Sequence, residues 1–313
     1  MDETAGEPPL DSAAPRQNPK AAPITPRWAV VIPAFQEEAT IAGIVQACRA
    51  LPEAPHVVVV DDGSTDRTAA LAAASGAEVV RHRSNQGKGA ALATGFARAL
   101  AAGAAGVATL DGDGQHQPAD LSLLFACAAL WPERIVIGSR RAARHAMPPV
   151  RYIANRVADF WVSWAAGWPI DDTQSGLRVY PAEFLRQIGC GSALSRGFGF
   201  ESEILIVGGR LGFRTLAVPI APIYGHQLAR KSHFRPVSDI TRIVLMVAGY
   251  LLRWGMDPLG LWRSLAEPRA VICRETLEDD LPAKAPFLSV PRQAAAVREK
   301  ATGLSREETP QEP

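Results

Sequence analysis

Between residues 27 and 140, short apolar runs alternate with stretches of helical spacing, and this alternation limits the fold more than any other feature. The runs RWAVVIP (27–33), HVVVVD (56–61), AEVVRH (77–82), GVATLD (106–111) and RIVIGSR (134–140) read as strands. Residues 37–51, 64–75, 87–103 and 118–130 read as the helices between them. Ser64 or Thr65 is the expected cap of the second helix, with Asp66 in its first turn. Apolar strands joined through helices form a mostly parallel sheet covered on both faces. The expected fold class is therefore α/β.

In such a sheet ligands bind beyond the carboxyl ends of the strands. Each strand here is followed there by a polar cluster: PAFQEE, DDGSTD, RSNQGKG, DGDGQHQ and SRR, in order. One cluster would be ordinary turn chemistry, but five converge on one edge. The fourth is the most informative. In extended chain Asp111 and Asp113 point to the same side and repel, and a cation between them relieves the repulsion. Their hard oxygens suit Mg2+ or Mn2+, ions that commonly bridge to substrate phosphates. Gly112 and Gly114 leave room for a bulky ligand. The segment NQGKGAAL lacks the spacing of a P-loop, and PAFQEE stands where a dinucleotide-binding glycine fingerprint would be.

Composition narrows the reading further. With 47% apolar residues in 313, the chain can bury a large core, and a net charge of +1 gives no reason to expect a nucleic-acid partner. Cys48, Cys127, Cys190 and Cys273 form no close pair, which argues against a disulfide framework or zinc site and for a reducing compartment. The acidic, proline-rich start does not resemble a secretion signal. The expected organisation is a poorly ordered tail over 1–26, a domain over 27–240, an amphipathic membrane-interfacial helix over 241–263 and a second tail over 264–313.

The segments VVIPAFQEEATI, VVVVDDGSTDRT, NQGKGAAL, LDGDGQHQP, VIGSR and DDTQSGLRVY, in this order, resemble the motifs of family 2 glycosyltransferases with a GT-A fold. The resemblance is closest to the dolichyl-phosphate mannose synthase and polyprenyl-phosphate glycosyltransferase group, and spans about residues 27–240. Phe35 and Gln36 depart from the usual Tyr-Asn, and Gly114 from a frequent apolar residue. The resemblance implies a nucleotide pocket lined by Pro33, Phe35 and Glu37, with Asp62 on the base or ribose, Asp61 supporting it, and Lys88 and Asp111 close by. Asp111, Asp113 and Gln115 would hold the metal and, through it, the diphosphate. His116 is either a partner behind these ligands or a packed imidazole. On the acceptor side the matching positions are Asp172, Ser175 and Arg178, and Arg140 and Arg178 are planar donors suited to phosphate. Glu201 is a candidate acid near the acceptor, although Glu201 and Glu203 also suit a first helical turn. Arg230, Lys231, His233 and Arg235 form either a basic loop that closes over the diphosphate or a solvated charge run.

The implied activity is metal-dependent, inverting transfer of a sugar from a UDP- or GDP-sugar to a polyprenyl or dolichyl phosphate. An ionised phosphate acceptor needs no strong base, whereas an alcohol would need Glu201 or Asp172 to take its proton. A lipid-hydroxyl or saccharide acceptor, and a non-catalytic nucleotide-sugar-binding module, remain as alternatives. Residues 242–256 are too short an apolar stretch to span a bilayer, and 160–168 carry three tryptophans. Together they suggest interfacial helices near a lipid acceptor, or else core or dimer contacts, which leaves a homo-oligomer open. The expected setting is a bacterial cytoplasm, peripheral on the inner face of the membrane.

Overall fold

The computed structural model describes residues 27–141, 149–189, 199–220 and 236–272. Among the described residues seven strands make one sheet: β1 (Trp28–Ala34), β2 (His56–Asp61), β3 (Glu78–Arg81), β4 (Gly106–Thr109), β5 (Ile135–Ser139), β6 (Arg178–Pro181) and β7 (Thr215–Pro219). Their order is β3-β2-β1-β4-β6-β5-β7. The five expected strands are all present. Two more, β6 and β7, were hidden in the downstream sequence.

β1 pairs in parallel with β2 and β4, β2 with β3, and β5 with β7, while β6 runs antiparallel to both β4 and β5. Two reversals restore direction, so β5 points the same way as β4. The carboxyl ends of β1 to β5 therefore share one edge, and β6 enters the sheet from that edge.

The helices are α1 (Ile41–Arg49), α2 (Thr68–Ala74), α3 (Lys88–Ala101), α4 (Asp120–Leu130), α5 (Pro149–Ala166), α6 (Ala182–Ile188), α7 (Phe200–Arg210), α8 (Pro236–Arg253) and α9 (Pro258–Ala266). Alternation along the strands divides the core into two layers. Val30, Ile32, Val57 and Val59 pack with Ile41, Val45, Leu121 and Phe125. Ala29, Val31, Val58 and Val60 pack with Leu92, Phe96, Val162 and Ile204. Gly95 lets α3 lie close on β1, because a Cβ there would stand 2.2 Å from Val31 Cγ1. Gly95→Ala is expected to lower stability by about 1–3 kcal/mol through overpacking, measurable as a lower denaturation midpoint with an unchanged slope.

Two boundaries differ from expectation. The second helix begins at Thr68, and its entry is held by Asp66, whose Oδ1 accepts from the Thr68 amide at 3.0 Å. Ser64 is occupied elsewhere: its hydroxyl accepts from the Gln36 amide at 2.9 Å and ties the first cluster to the second. At the other end the ordered chain passes residue 263. Ala217 and Val271 form a parallel bridge, and Ile272 is buried in the core. α8 also crosses the expected division at 240. The buried Cys48 and Cys127 are free thiols, pushed up to about 12 by burial, so both stay protonated. Cys190 and Cys273 lie outside the described residues.

Candidate active site

The polar clusters meet as expected, and their side chains fall into a frame and an interior. The frame starts at the end of β2. Asp61 is fully buried; its Oδ1 accepts from the Ser64 amide at 3.0 Å, and its Oδ2 is ion-paired with Arg81 Nε at 3.0 Å. Asp62 accepts from the amides of Gln86 at 2.9 Å and Gly87 at 2.8 Å, and meets His82 Nδ1 at 2.7 Å. His82 Nε2 lies 2.9 Å from Thr94 Oγ1 on α3. Asp62 thus shapes the loop that launches α3. Gly87 precedes Lys88 with φ of +94°, a backbone conformation that favours glycine.

The first and fourth clusters touch directly. Thr40 Oγ1 donates to the carbonyl of Gly112 at 2.6 Å, and the Glu37 amide donates to Thr68 Oγ1 at 2.8 Å. Pro33, Phe35 and Glu37 are half-buried beside this contact. The DGDG segment is a turn rather than extended chain, which corrects the geometry expected for its carboxylates. Asp113 Oδ1 accepts from the Gln115 amide at 3.0 Å across that turn. Gln115 is exposed and His116 is buried, with its Nδ1 lacking a hydrogen-bond partner.

Asp111 is the centre of the arrangement. Its Oδ1 lies 2.7 Å from Lys88 Nζ, and the same ammonium lies 3.0 Å from Glu201 Oε1 at the start of α7. Gly176, just before β6, backs onto Asp111; a Cβ there would stand 2.5 Å from Asp111 Oδ2. Thr109 Oγ1 fixes that approach by donating to the Gly176 carbonyl at 2.8 Å. Gly176 was missed in the sequence, where it reads as one more turn residue.

Electrostatics follow from this packing. Burial alone would push Asp111 up, but Lys88, His116 and Arg140 outweigh it and hold the carboxyl below its usual value. Asp113 is raised, by burial first and then by the charge of Asp111. The repulsion inferred from the sequence is therefore present and falls on Asp113. Burial would lower Lys88, but Asp111 and Glu201 overcome it and keep the ammonium charged. Burial also lowers His116, which favours the neutral imidazole.

The acceptor-side residues are placed differently from expectation. Arg178 is fully buried and donates to the carbonyls of Thr173 at 2.8 Å and Glu201 at 2.7 Å and to Tyr180 Oη at 3.1 Å. It is a strut between β6 and α7, and this position does not offer it to a phosphate. Ser175 is also fully buried, with its hydroxyl donating to the Gly138 carbonyl at 2.6 Å. Arg140 Nε and Nη2 grip Asp172 at 2.9 and 2.8 Å. That pair holds Asp172 below its usual value against the opposing effect of burial. Glu203 points away from the site and accepts from Tyr250 Oη at 2.9 Å. Arg230, Lys231, His233 and Arg235 lie outside the described residues.

Behind this segment Asp159 accepts from the Thr173 amide and hydroxyl, both at 2.9 Å. Burial pushes Asp159 up to about 6. A raised carboxyl binds its proton more tightly when folded, so its ionisation weakens the fold as pH rises from about 4 to 6, by roughly 3 kcal/mol in total. Asp159→Asn should remove that slope. The expected result is a variant more stable than the wild type at pH 7, with the gap closing towards pH 4 in paired denaturation curves.

Glycosyl transferase family 2 matches residues 29–198, and the chain belongs to that family. The chain is thus a glycosyltransferase with a GT-A fold. Two curated relatives sharpen the comparison. Polyprenol monophosphomannose synthase of Mycolicibacterium smegmatis is 31% identical over 214 residues, covering 65% of this chain and 80% of that protein. Undecaprenyl-phosphate mannosyltransferase of Micrococcus luteus is 32% identical over 203 residues, covering 62% and 82%. Among solved structures, mannosyl-3-phosphoglycerate synthase from Rubrobacter xylanophilus shares the fold with a TM-score of 0.58 at 23% identity, over 78% of each chain.

Proposed function

We propose that this glycosyltransferase moves a sugar from a nucleotide-diphospho-sugar to a polyprenyl-type lipid phosphate, with Mg2+ or Mn2+ at Asp111, Asp113 and Gln115. The observation that carries the reading is the meeting of the DGDG turn, the start of α3 and the start of α7 around Asp111. The donor set is hard oxygen, and Asp113 carries negative charge that burial leaves poorly compensated. These features fit a small divalent cation. When bound, such an ion would neutralise the diphosphate and stabilise the departing nucleoside diphosphate.

The remaining roles belong to the chain itself. Pro33, Phe35 and Glu37 line the nucleotide side, on a frame made by Asp61 and Asp62. Asp172, gripped by Arg140, and Glu201, paired with Lys88, border the acceptor side. A lipid phosphate arrives ionised, because the second pKa of a monoester is about 6. Its oxygen can attack the anomeric carbon from the face opposite the leaving group without a protein base, which gives inversion.

The lipid half of the proposal has two supports. The name of one relative described above carries undecaprenyl phosphate, and that of the other carries polyprenol monophosphomannose as the product. In addition, α5, α8 and α9 expose Ile153, Val157, Leu245, Leu252, Leu259 and Trp262. No helix among the described residues is long and apolar enough to cross a membrane. A face of this kind suits an interfacial position on the inner side of a membrane. The test is a transfer assay with Mg2+ or Mn2+, a short-chain polyprenyl phosphate and a panel of UDP- and GDP-sugars. Glycolipid formation with one donor is the expected result. Nucleoside diphosphate release that ignores the lipid phosphate, or that needs a lipid alcohol or a saccharide instead, would overturn the acceptor assignment.

A further inference from the structure

Lys88 sits between carboxylates that serve different halves of the reaction. Its ammonium is 2.7 Å from Asp111 on the donor side and 3.0 Å from Glu201 on the acceptor side. It cannot withdraw by moving the backbone. Lys88 is the first residue of α3, and the two preceding amides are bonded to Asp62, which is itself held by His82. Only the side chain can swing, and the two carboxylates limit where it goes.

The charges of the cluster are also unbalanced. Asp111, Asp113 and Glu201 with Lys88 leave two negative charges, the amount a divalent ion supplies. A metal on Asp111 would share that carboxylate with an ammonium already in contact, and two cations on one carboxylate repel.

We propose that Lys88 is a resident cation that competes with the divalent metal for Asp111 and shifts to Glu201 when the metal binds. Metal loading then leaves Lys88 to Glu201 alone instead of shared with Asp111, and the donor and acceptor halves are linked through one flexible side chain. This rests on the metal reading of Asp111 given above. Lys88 is a positioning residue in this scheme, and it acts through the carboxylates it holds.

The experiment is a titration of the full-length protein with Mn2+ alone, following free Mn2+ by electron paramagnetic resonance, without nucleotide or lipid. Lys88→Met should tighten Mn2+ binding by about tenfold or more, because the competitor is gone. Lys88→Arg keeps a cation in place and should stay within about threefold of the wild type. Glu201→Gln should loosen binding, because Lys88 then has only Asp111 to hold. The double variant should match Lys88→Met, because Glu201 influences the metal only through Lys88. Lys88→Gln provides a second neutral variant should the methionine variant not fold, as judged by circular dichroism. Unchanged or weaker Mn2+ binding in the folded neutral variants would overturn the proposal. So would an effect of Glu201→Gln that persists without Lys88. Failure of the metal reading looks different: the wild type would bind no Mn2+, or Asp111→Asn would bind it as well as the wild type.

Discussion

Replacing Asp113 with alanine is expected to lower sugar transfer by at least about a thousandfold, or roughly 4 kcal/mol of transition-state stabilisation, while the fold stays intact. The reasoning separates what Asp113 does for the structure from what it does for the chemistry. Its resolved structural bond is one acceptor contact with the Gln115 amide in a surface turn. Its carboxyl is raised by burial and by Asp111, so its charge costs the empty protein something. Alanine removes that cost along with the turn contact, and stability should change by no more than about 0.5–1 kcal/mol. On the proposed metal reading, transfer loses a ligand of the ion that would bear on the leaving diphosphate. Matched melting curves and single-turnover transfer assays at saturating Mg2+ test both halves. Near-normal turnover in the variant would remove Asp113 from the site.

Gly176→Ala is the second large effect. A Cβ at residue 176 would meet Asp111 Oδ2 at 2.5 Å and Cγ at 2.9 Å. The backbone cannot easily give way, since Thr109 holds the Gly176 carbonyl and β6 begins two residues later. The Asp111 side chain must turn instead, and its 2.7 Å contact with Lys88 is lost. If Asp111 serves the proposed metal site, a displacement of this size is expected to cost about a hundredfold in kcat/KM. The fold should lose only about 1 kcal/mol, because the colliding atoms are the mobile end of one side chain. Wild-type kinetics in a normally folded Gly176→Ala protein would show that Asp111 tolerates another rotamer.

These two residues mark the limit of what the sequence discloses. Asp113 was legible because its chemistry is local: two carboxylates, flanking glycines and a preceding apolar run stand within a few residues. The five parallel strands were legible for the same reason, through their apolar period. β6 was not. It is only four residues long and begins with a buried arginine, so it carries no apolar signature. Arg178 then read as a phosphate ligand and Ser175 as an acceptor-side position, since exposed and buried polar residues look alike in sequence. What settles Arg178 is three partners brought together from 2, 5 and 23 residues away. Gly176 was hidden because its neighbour is Asp111, far along the chain, and glycine in a loop already has an ordinary explanation.

The antiparallel insertion of β6 has an evolutionary consequence. The proposed donor half is built from the helix-bearing links that join β1 to β5 in turn. The proposed acceptor half draws mainly on one long excursion that leaves the sheet after β5 and returns at β6 by the same edge, with Glu201 added from the start of α7. Residues can be gained, lost or exchanged along that excursion without shifting the register of β1 to β4. On the proposed reading, related chains can thus diversify in what they glycosylate while keeping one way of holding the activated sugar.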